Sequence, residues 1–258
     1  MSRLRARCPD CRTLTAVALG PDYQCHACGR EFAAGLVRVP RAWGDGGETM
    51  AAAAHTPLPY PEAAVIEADS LAEQNLLLAS ELPDRPIVLG GCCCSHVGAI
   101  EALSAGEECL AVVWIDAHGD LNTPETSPSG NAWGMPLRMV IDDRAVLPRN
   151  VALVGARNLD PPEVEFIEAS GVQTGEGAIE RALEGADAVY VALDCDGFDP
   201  AELSVFMPEP DGLRLAEVEE LLAELASRTR VAGLGLTGLV RDESNEPKLA
   251  RLAAALGL

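Results

Sequence analysis

From about residue 61 to the end of the chain, short apolar runs alternate with amphipathic stretches, and that alternation leaves few folds open. The runs "RPIVLGG", "CLAVVWID", "NVALVGA", "AVYVALDCD" and "VAGLGLTGL" read as strands, with "GVQT" as a short additional one. Between them lie helical patterns. "PEAAVIEADSLAEQNLLLASEL" is opened by a proline, and "SHVGAIEALSAG" starts at a serine cap and stops at glycine. "PPEVEFIEAS", "AIERALEG", the long amphipathic "LRLAEVEELLAELASRT" and a final "PKLARLAAALG" complete the set. Apolar strands alternating with helices are the pattern of a parallel sheet covered on both faces. The expected fold class is α/β, three layers built on a mostly parallel sheet, and 258 residues suffice for it plus a small module.

The small module is predicted at the N terminus. "CPDC" and "CHACG" place Cys8, Cys11, Cys25 and Cys28 in two C-x2-C pairs. Each pair makes a tight turn presenting two thiolates, and two turns close a tetrahedron around one ion, the zinc-ribbon pattern. The other reading is four unrelated cysteines, and iron is an alternative ion. A module this short has too little core to fold alone, so metal binding would supply folding free energy. His26 is expected to be exposed. The domain boundaries are set at 1–35 for the ribbon and 36–258 for the main domain. Residues 39–61, rich in Gly, Ala and Pro, read as a linker or irregular loop, with His55 exposed in it.

Composition excludes several classes. Forty acids against 19 bases give a formal charge of −21, which disfavours nucleic acid and anionic membrane surfaces as partners. No apolar run is long enough for a spanning helix, and the basic start "MSRLRARCPDC" lacks a following apolar segment. A cytoplasmic location is expected. Nine cysteines, an odd number, then read as metal ligands or core residues before disulfides.

Chemistry concentrates where two predicted strands end. The first ends in Asp116-x-His118-x-Asp120, the second in Asp194-x-Asp196. Residues two apart in extended chain point to one side, so each cluster directs its ligands to one place. Open parallel sheets bind ligands beyond the carboxyl ends of their strands. This mostly oxygen donor set suits a hard or borderline divalent ion such as Mn2+. With shared carboxylates it could hold two ions about 3.5–4 Å apart, bridged by an activated water. The competing reading is that these acids only cap loops and helices.

"WIDAHGDLNTPETSPSGNAWGMP" and "ALDCDGFDP" closely resemble the two metal-binding signatures of the arginase/agmatinase ureohydrolase family. "LGGCCCSHVGAI" resembles that family's first metal motif, and "LVGARNLDPPE" its R-D-x-D segment. The resemblance spans about residues 86 to 239. It implies an arginase-like fold with a two-manganese centre whose bridging hydroxide splits guanidino, amidino or formimino C–N bonds. It implies that Asp116 and Asp194 bridge the metals, that Asp120 binds one ion and assists the hydroxide, and that His118 and Asp196 bind the other.

The departures matter as much. The family's first metal-binding His falls on Cys93, flanked by Cys92 and Cys94. Cys93 is either a thiolate ligand, which tilts the site toward Zn2+ or Fe2+, or a small buried residue beside a weakened metal position. His96, three residues on, is expected to pack. The family's proton-shuttle His is replaced by Trp133, which cannot transfer protons at neutral pH and could form an aromatic wall. A substrate-binding Glu in the last strand is replaced by Gly238, so a strongly cationic guanidinium is less expected. By resemblance, the family's amino-acid-binding positions correspond to Asn122, Ser127, Ser129 and Asp160, with Asn131 in the same loop; the competing reading is ordinary loop hydrogen bonding.

The expectation is a metal-dependent hydrolase of the ureohydrolase type, acting on a small amino-acid-like substrate with one or two catalytic ions and Zn2+ in the ribbon. The resemblance also implies a homo-oligomer. The alternative is a catalytically silent protein of the same fold that binds a ligand or partner.

Overall fold

The computed structural model describes residues 5, 6, 8, 11, 13, 15–19, 22–33, 35–107 and 109–258. Four short strands open the chain: β1 (Arg5–Ala6), β2 (Ala16–Leu19), β3 (Asp22–Cys25) and β4 (Glu31–Ala33). They pair antiparallel in chain order. Their core is small: Cys8, Ala16, Tyr23 and Cys25, with Phe32 stacked on Tyr23 at 5.9 Å. So little buried apolar surface contributes only weakly to folding.

The main sheet holds seven strands: β5 (Leu36–Val39), β6 (Glu62–Val65), β7 (Ile87–Gly90), β8 (Leu110–Ile115), β9 (Val151–Val154), β10 (Ala188–Asp194) and β11 (Arg230–Thr237). Their order is β6-β5-β7-β11-β10-β8-β9, and every pairing is parallel. The helices are α1 (Glu48–Ala53), α2 (Leu71–Glu81), α3 (Ser95–Gly106), α4 (Pro136–Asp142), α5 (Pro161–Ser170), α6 (Ala178–Ala182), α7 (Leu215–Arg228) and α8 (Asn245–Ala255). β8 and β10 are buried along their whole length. Their alternate residues serve two cores, as the pleat requires. Val189, Val191 and Leu193 pack in one core with Val218, Leu222 and Leu225 of α7, whereas Tyr190 and Ala192 pack in the other with Val97 and Ile100 of α3.

Four local expectations are corrected. The helix expected from Pro61 begins only at Leu71, because Glu62–Val65 pairs with β5 as an edge strand. Ser70 then supplies the cap, accepting from the Glu73 backbone N–H at 3.2 Å. The stretch 39–61 is not a plain linker: it carries α1, which buries Met50 and Ala53. Ser95 does not cap α3. Its hydroxyl donates to the Cys92 carbonyl at 3.0 Å, and Cys94 precedes the helix without a side-chain cap. "GVQT" contributes one isolated bridge, Ala152 to Gln173.

Because the chain passes from β7 to β8 across the positions later filled by β11 and β10, the carboxyl ends of β7, β10 and β8 face a common crevice. Such a switch in strand order is where an open parallel sheet offers room for a ligand.

Candidate metal centre

Asp116 follows β8 directly and is buried. Its Oδ1 accepts from the His118 backbone N–H at 2.7 Å, and its Oδ2 from the Trp114 indole at 3.0 Å. The His118 ring turns Nδ1 inward, 3.2 Å from Asp196 Oδ2 and 3.5 Å from Asp116 Oδ1. Asp120 has φ +53°, a left-handed conformation uncommon outside glycine, and its Oδ2 is buried without a hydrogen-bond partner among the described residues. Asp194 closes β10. Its Oδ1 accepts from the Asp196 N–H at 3.0 Å, and its Oδ2 from the Cys93 thiol at 2.7 Å. Asp196 Oδ1 accepts from the Ala117 N–H at 3.2 Å, tying the two acid loops together.

Two sets of possible ligand atoms result. Those of Cys93, Asp116 and Asp120 lie within 4.8 Å of one another, and so do those of Asp116, His118 and Asp196. Asp116 belongs to both sets, which is the arrangement two neighbouring ions with a shared carboxylate require. Asp194 belongs to neither; it stands between them, held by Cys93 and Asp196.

The electrostatics fit a cation. Burial, reinforced by Asp196, pushes the Asp194 carboxyl up to about 7, and burial with Asp116 pushes Asp196 up to about 6. Burial also raises Asp116, and it raises Asp120 far above the carboxylate range with help from Asp116 and Asp194. Burial works against a charged His118, yet its contacts with Asp116 and Asp196 hold it protonated up to about 12. The Cys93 thiol is pushed up by burial and by Asp194, Asp120 and Asp116. Four buried carboxyls that disfavour one another's ionisation are the complement of a divalent ion, whose charge inverts each of these shifts.

The centre forms the floor of a cleft of about 270 Å3. Asn122, Ser127, Ser129, Trp133 and Asp160 line it. Asn122 donates to Asp160 Oδ2 at 2.9 Å. The Ser127 and Ser129 hydroxyls lie 3.5 Å apart and accept from the Gly130 and Asn131 N–H groups. Asn131 is not brought into the cleft: its Oδ1 accepts from the Asp45 N–H at 2.9 Å and pins the loop instead. His96 packs, as expected. It is buried edge-on to Trp114 at 5.0 Å, with Tyr190 and Thr237 hydroxyls at its two nitrogens.

Sequence reasoning missed several residues. Glu163 lines the cleft, buried, with Oε1 accepting from the Leu121 N–H and Oε2 from the Asp160 N–H, both at 2.9 Å. The D-x-x-E spacing of Asp160 and Glu163 is a helix-start signal that would have located it. Arg157 donates to five backbone carbonyls, those of Gly155, Asp196, Gly197, Glu209 and Pro210, and so fixes the loop after β10. Glu209, on that loop, sits 3.7 Å from His118 Nε2 and accepts from Asn158 Nδ2 at 3.0 Å. No periodicity marks Glu209, Phe206 or Met207. At the N terminus, Cys8 Sγ lies 3.6 Å from Cys28 Sγ and Cys11 Sγ 3.5 Å from Cys25 Sγ, and all four form one cluster.

Fold and site together define a parallel α/β protein with a carboxylate-rich candidate metal centre at the carboxyl edge of its sheet. The arginase family profile matches residues 49–256, and the chain belongs to that family. It is 37% identical over 142 residues to the arginase of Staphylococcus aureus, covering 45% of this chain and 47% of that one. That match thus spans about half the relative's length. It is 34% identical over 201 residues to the arginase of Bacillus caldovelox, 66% of each chain. Among solved structures, the arginase from Bacillus subtilis superposes with a TM-score of 0.74 at 24% identity, covering 86% of this chain and 97% of that one. Among the described residues, no helix is long and apolar enough to cross a membrane.

Proposed function

We propose that the protein is a metal-dependent hydrolase of the ureohydrolase type that cleaves a guanidino, amidino or formimino C–N bond of a small amino-acid-like substrate. The observation that carries this reading is the pair of buried ligand sets sharing Asp116 on the floor of a cleft. Cys93, Asp116 and Asp120 would hold one divalent ion, Asp116, His118 and Asp196 the other, and Asp194 would join both. Manganese suits the oxygen-rich set, and a Cys93 thiolate would favour zinc or iron at its position. When bound, such ions acidify water and neutralise charge that develops on the substrate.

The chain's own residues supply the rest. Asp120 Oδ2, which has no hydrogen-bond partner among the described residues, would hold a proton beside the reacting carbon. Asn122, Ser127, Ser129 and Asp160 would anchor the amino-acid end of the substrate. Trp133, which lines the cleft, would exclude water from the substrate without moving protons. The four N-terminal cysteines would bind one zinc. A homo-oligomer is part of this reading, through the family alone.

A second reading is a catalytically silent family member, and one observation favours it: Cys93 donates to Asp194 instead of leaving that carboxylate free. Metal analysis of the purified protein, with ammonia or urea release measured on amino-acid-like guanidines and amidines, decides between them. Metal beyond the ribbon zinc, lost in Asp194→Ala, with turnover, supports the enzyme. No metal beyond the ribbon supports the silent reading, and a fully loaded Asp194→Ala overturns the ligand assignment.

A further inference from the structure

One wall of the cleft is apolar throughout, and it faces the metal floor. Met50, Cys92, Trp133, Phe206 and Met207 line it, with Gly238 at its base. Met50, Cys92, Trp133 and Phe206 belong to one hydrophobic cluster, and the Trp133 and Phe206 rings meet edge-to-face at 6.0 Å. The indole is seated against bare backbone: a Cβ on Gly44 would fall 2.4 Å from Trp133 Cζ3, and one on Gly47 3.2 Å from the same atom. Its position is therefore set by packing. Gly238 admits no side chain, because a Cβ there would fall 1.9 Å from Asp194 Oδ1.

The charges in the cleft are already engaged elsewhere. Asp116, Asp120, Asp194 and Asp196 belong to the metal floor. Both oxygens of Glu163 accept backbone N–H groups, and Asp160 accepts from Asn122. Amidinium and guanidinium head groups carry the same charge and present similar paired N–H donors, so the polar groups of the cleft do not separate them and the apolar wall decides. A flat apolar group beside the head group, laid against two aromatic rings, is favoured. Cation–π attraction to Trp133 acts on either head group, whereas burial of an aryl face is gained only by the substituted one.

Resting on the ureohydrolase reading, we infer that the substrate carries a flat apolar substituent beside the reacting carbon. Its class is an aryl- or alkenyl-substituted amidine or guanidine, preferred over one whose head group carries only a small alkyl substituent. The wall selects the substituent, and the loop of Asn122, Ser127 and Ser129 meets the polar end.

Two probes of equal charge and similar planar head isolate the wall: benzamidine and methylguanidine, titrated calorimetrically into the full chain supplemented with manganese. Benzamidine is expected to bind at least tenfold tighter. Trp133→Ala should bring the two within about threefold of each other while metal content stays unchanged, and Trp133→His, which keeps a ring, should give an intermediate ratio. Leu76→Ala, on the exposed face of α2 away from the cleft, should leave the ratio intact. Equal affinities for the two probes, binding of neither, or a ratio unmoved by both Trp133 variants would overturn the inference. A tenfold preference without turnover of any amidine or guanidine counts against the hydrolase reading alone.

Discussion

Replacing Gly238 by alanine tests whether Asp194 holds the carboxylate floor of the cleft together. Gly238 follows β11 with φ +72°, where an L residue costs roughly 1–2 kcal/mol. The added Cβ would also fall 1.9 Å from Asp194 Oδ1 and 2.7 Å from its Cγ. Ordinary contact needs about 3.5 Å, so the carboxylate must retreat by more than an ångström. It cannot retreat freely, because it accepts from the Asp196 N–H and the Cys93 thiol. Losing one such hydrogen bond to a charged group costs about 1.5–3 kcal/mol. The sum is about 2.5–5 kcal/mol, which lowers the melting temperature by about 10 °C for a chain of this size. Gly130→Ala is the control. Its φ is +69° and nothing lies within 4 Å of the added Cβ, so it carries the backbone cost alone. Scanning calorimetry should show the larger loss for Gly238→Ala, and manganese titration of chelator-stripped protein should show weakened binding for that variant only. Equal melting losses in the two variants, with manganese affinity unchanged in both, would refute the reasoning.

Four further outcomes are expected. A Cys8→Ser, Cys28→Ser double variant should lose about one zinc per chain by elemental analysis while the main domain keeps its metal. Asp194 and Asp196, raised to about 7 and about 6, bind more protons folded than unfolded, so stability is greatest at low pH and is lost as pH rises through that window. In chelator, the melting temperature by fluorimetry should therefore be higher at about pH 5 than at about pH 8, and manganese should reverse the trend. Glu209→Gln removes the carboxylate beside His118 Nε2 while keeping its size, and should weaken manganese binding about 10- to 100-fold in a competition assay with little change in melting. Cys93→His should raise manganese affinity, and Cys93→Ser should remove a sulfur-to-cobalt charge-transfer band in the difference spectrum with the unaltered, cobalt-loaded chain; neither change would mean that Cys93 only packs.

The parallel α/β layout was legible because β8 and β10 are buried on both faces, so their residues are apolar without interruption. Helix α5 was legible to the residue, since prolines open it and Gly171, left-handed at φ 88°, closes it. The two acid clusters were legible because their spacing is local. What failed was context. Glu62–Val65 reads as helix in isolation and becomes strand only because β5 offers an edge, which is a tertiary fact. Met50, Phe206 and Met207 reach the cleft from segments without periodicity, so composition could not place them there. Asn131 shares a loop with Ser127 and Ser129, yet loop geometry, invisible in sequence, turns its amide away to Asp45.

Strand β5 has neighbours on both sides, β6 and β7, and it starts three positions after β4 ends. Leu36 is fully buried, and its N–H donates to the Pro61 carbonyl at 2.9 Å. A protein trimmed at residue 36 would therefore begin with a charged ammonium in a place that now holds a neutral amide, inside the sheet rather than at its rim. Any shortened version has to carry a few residues ahead of Leu36, so the cysteine module and the sheet are separable in chemistry but not at the peptide bond where their strands divide.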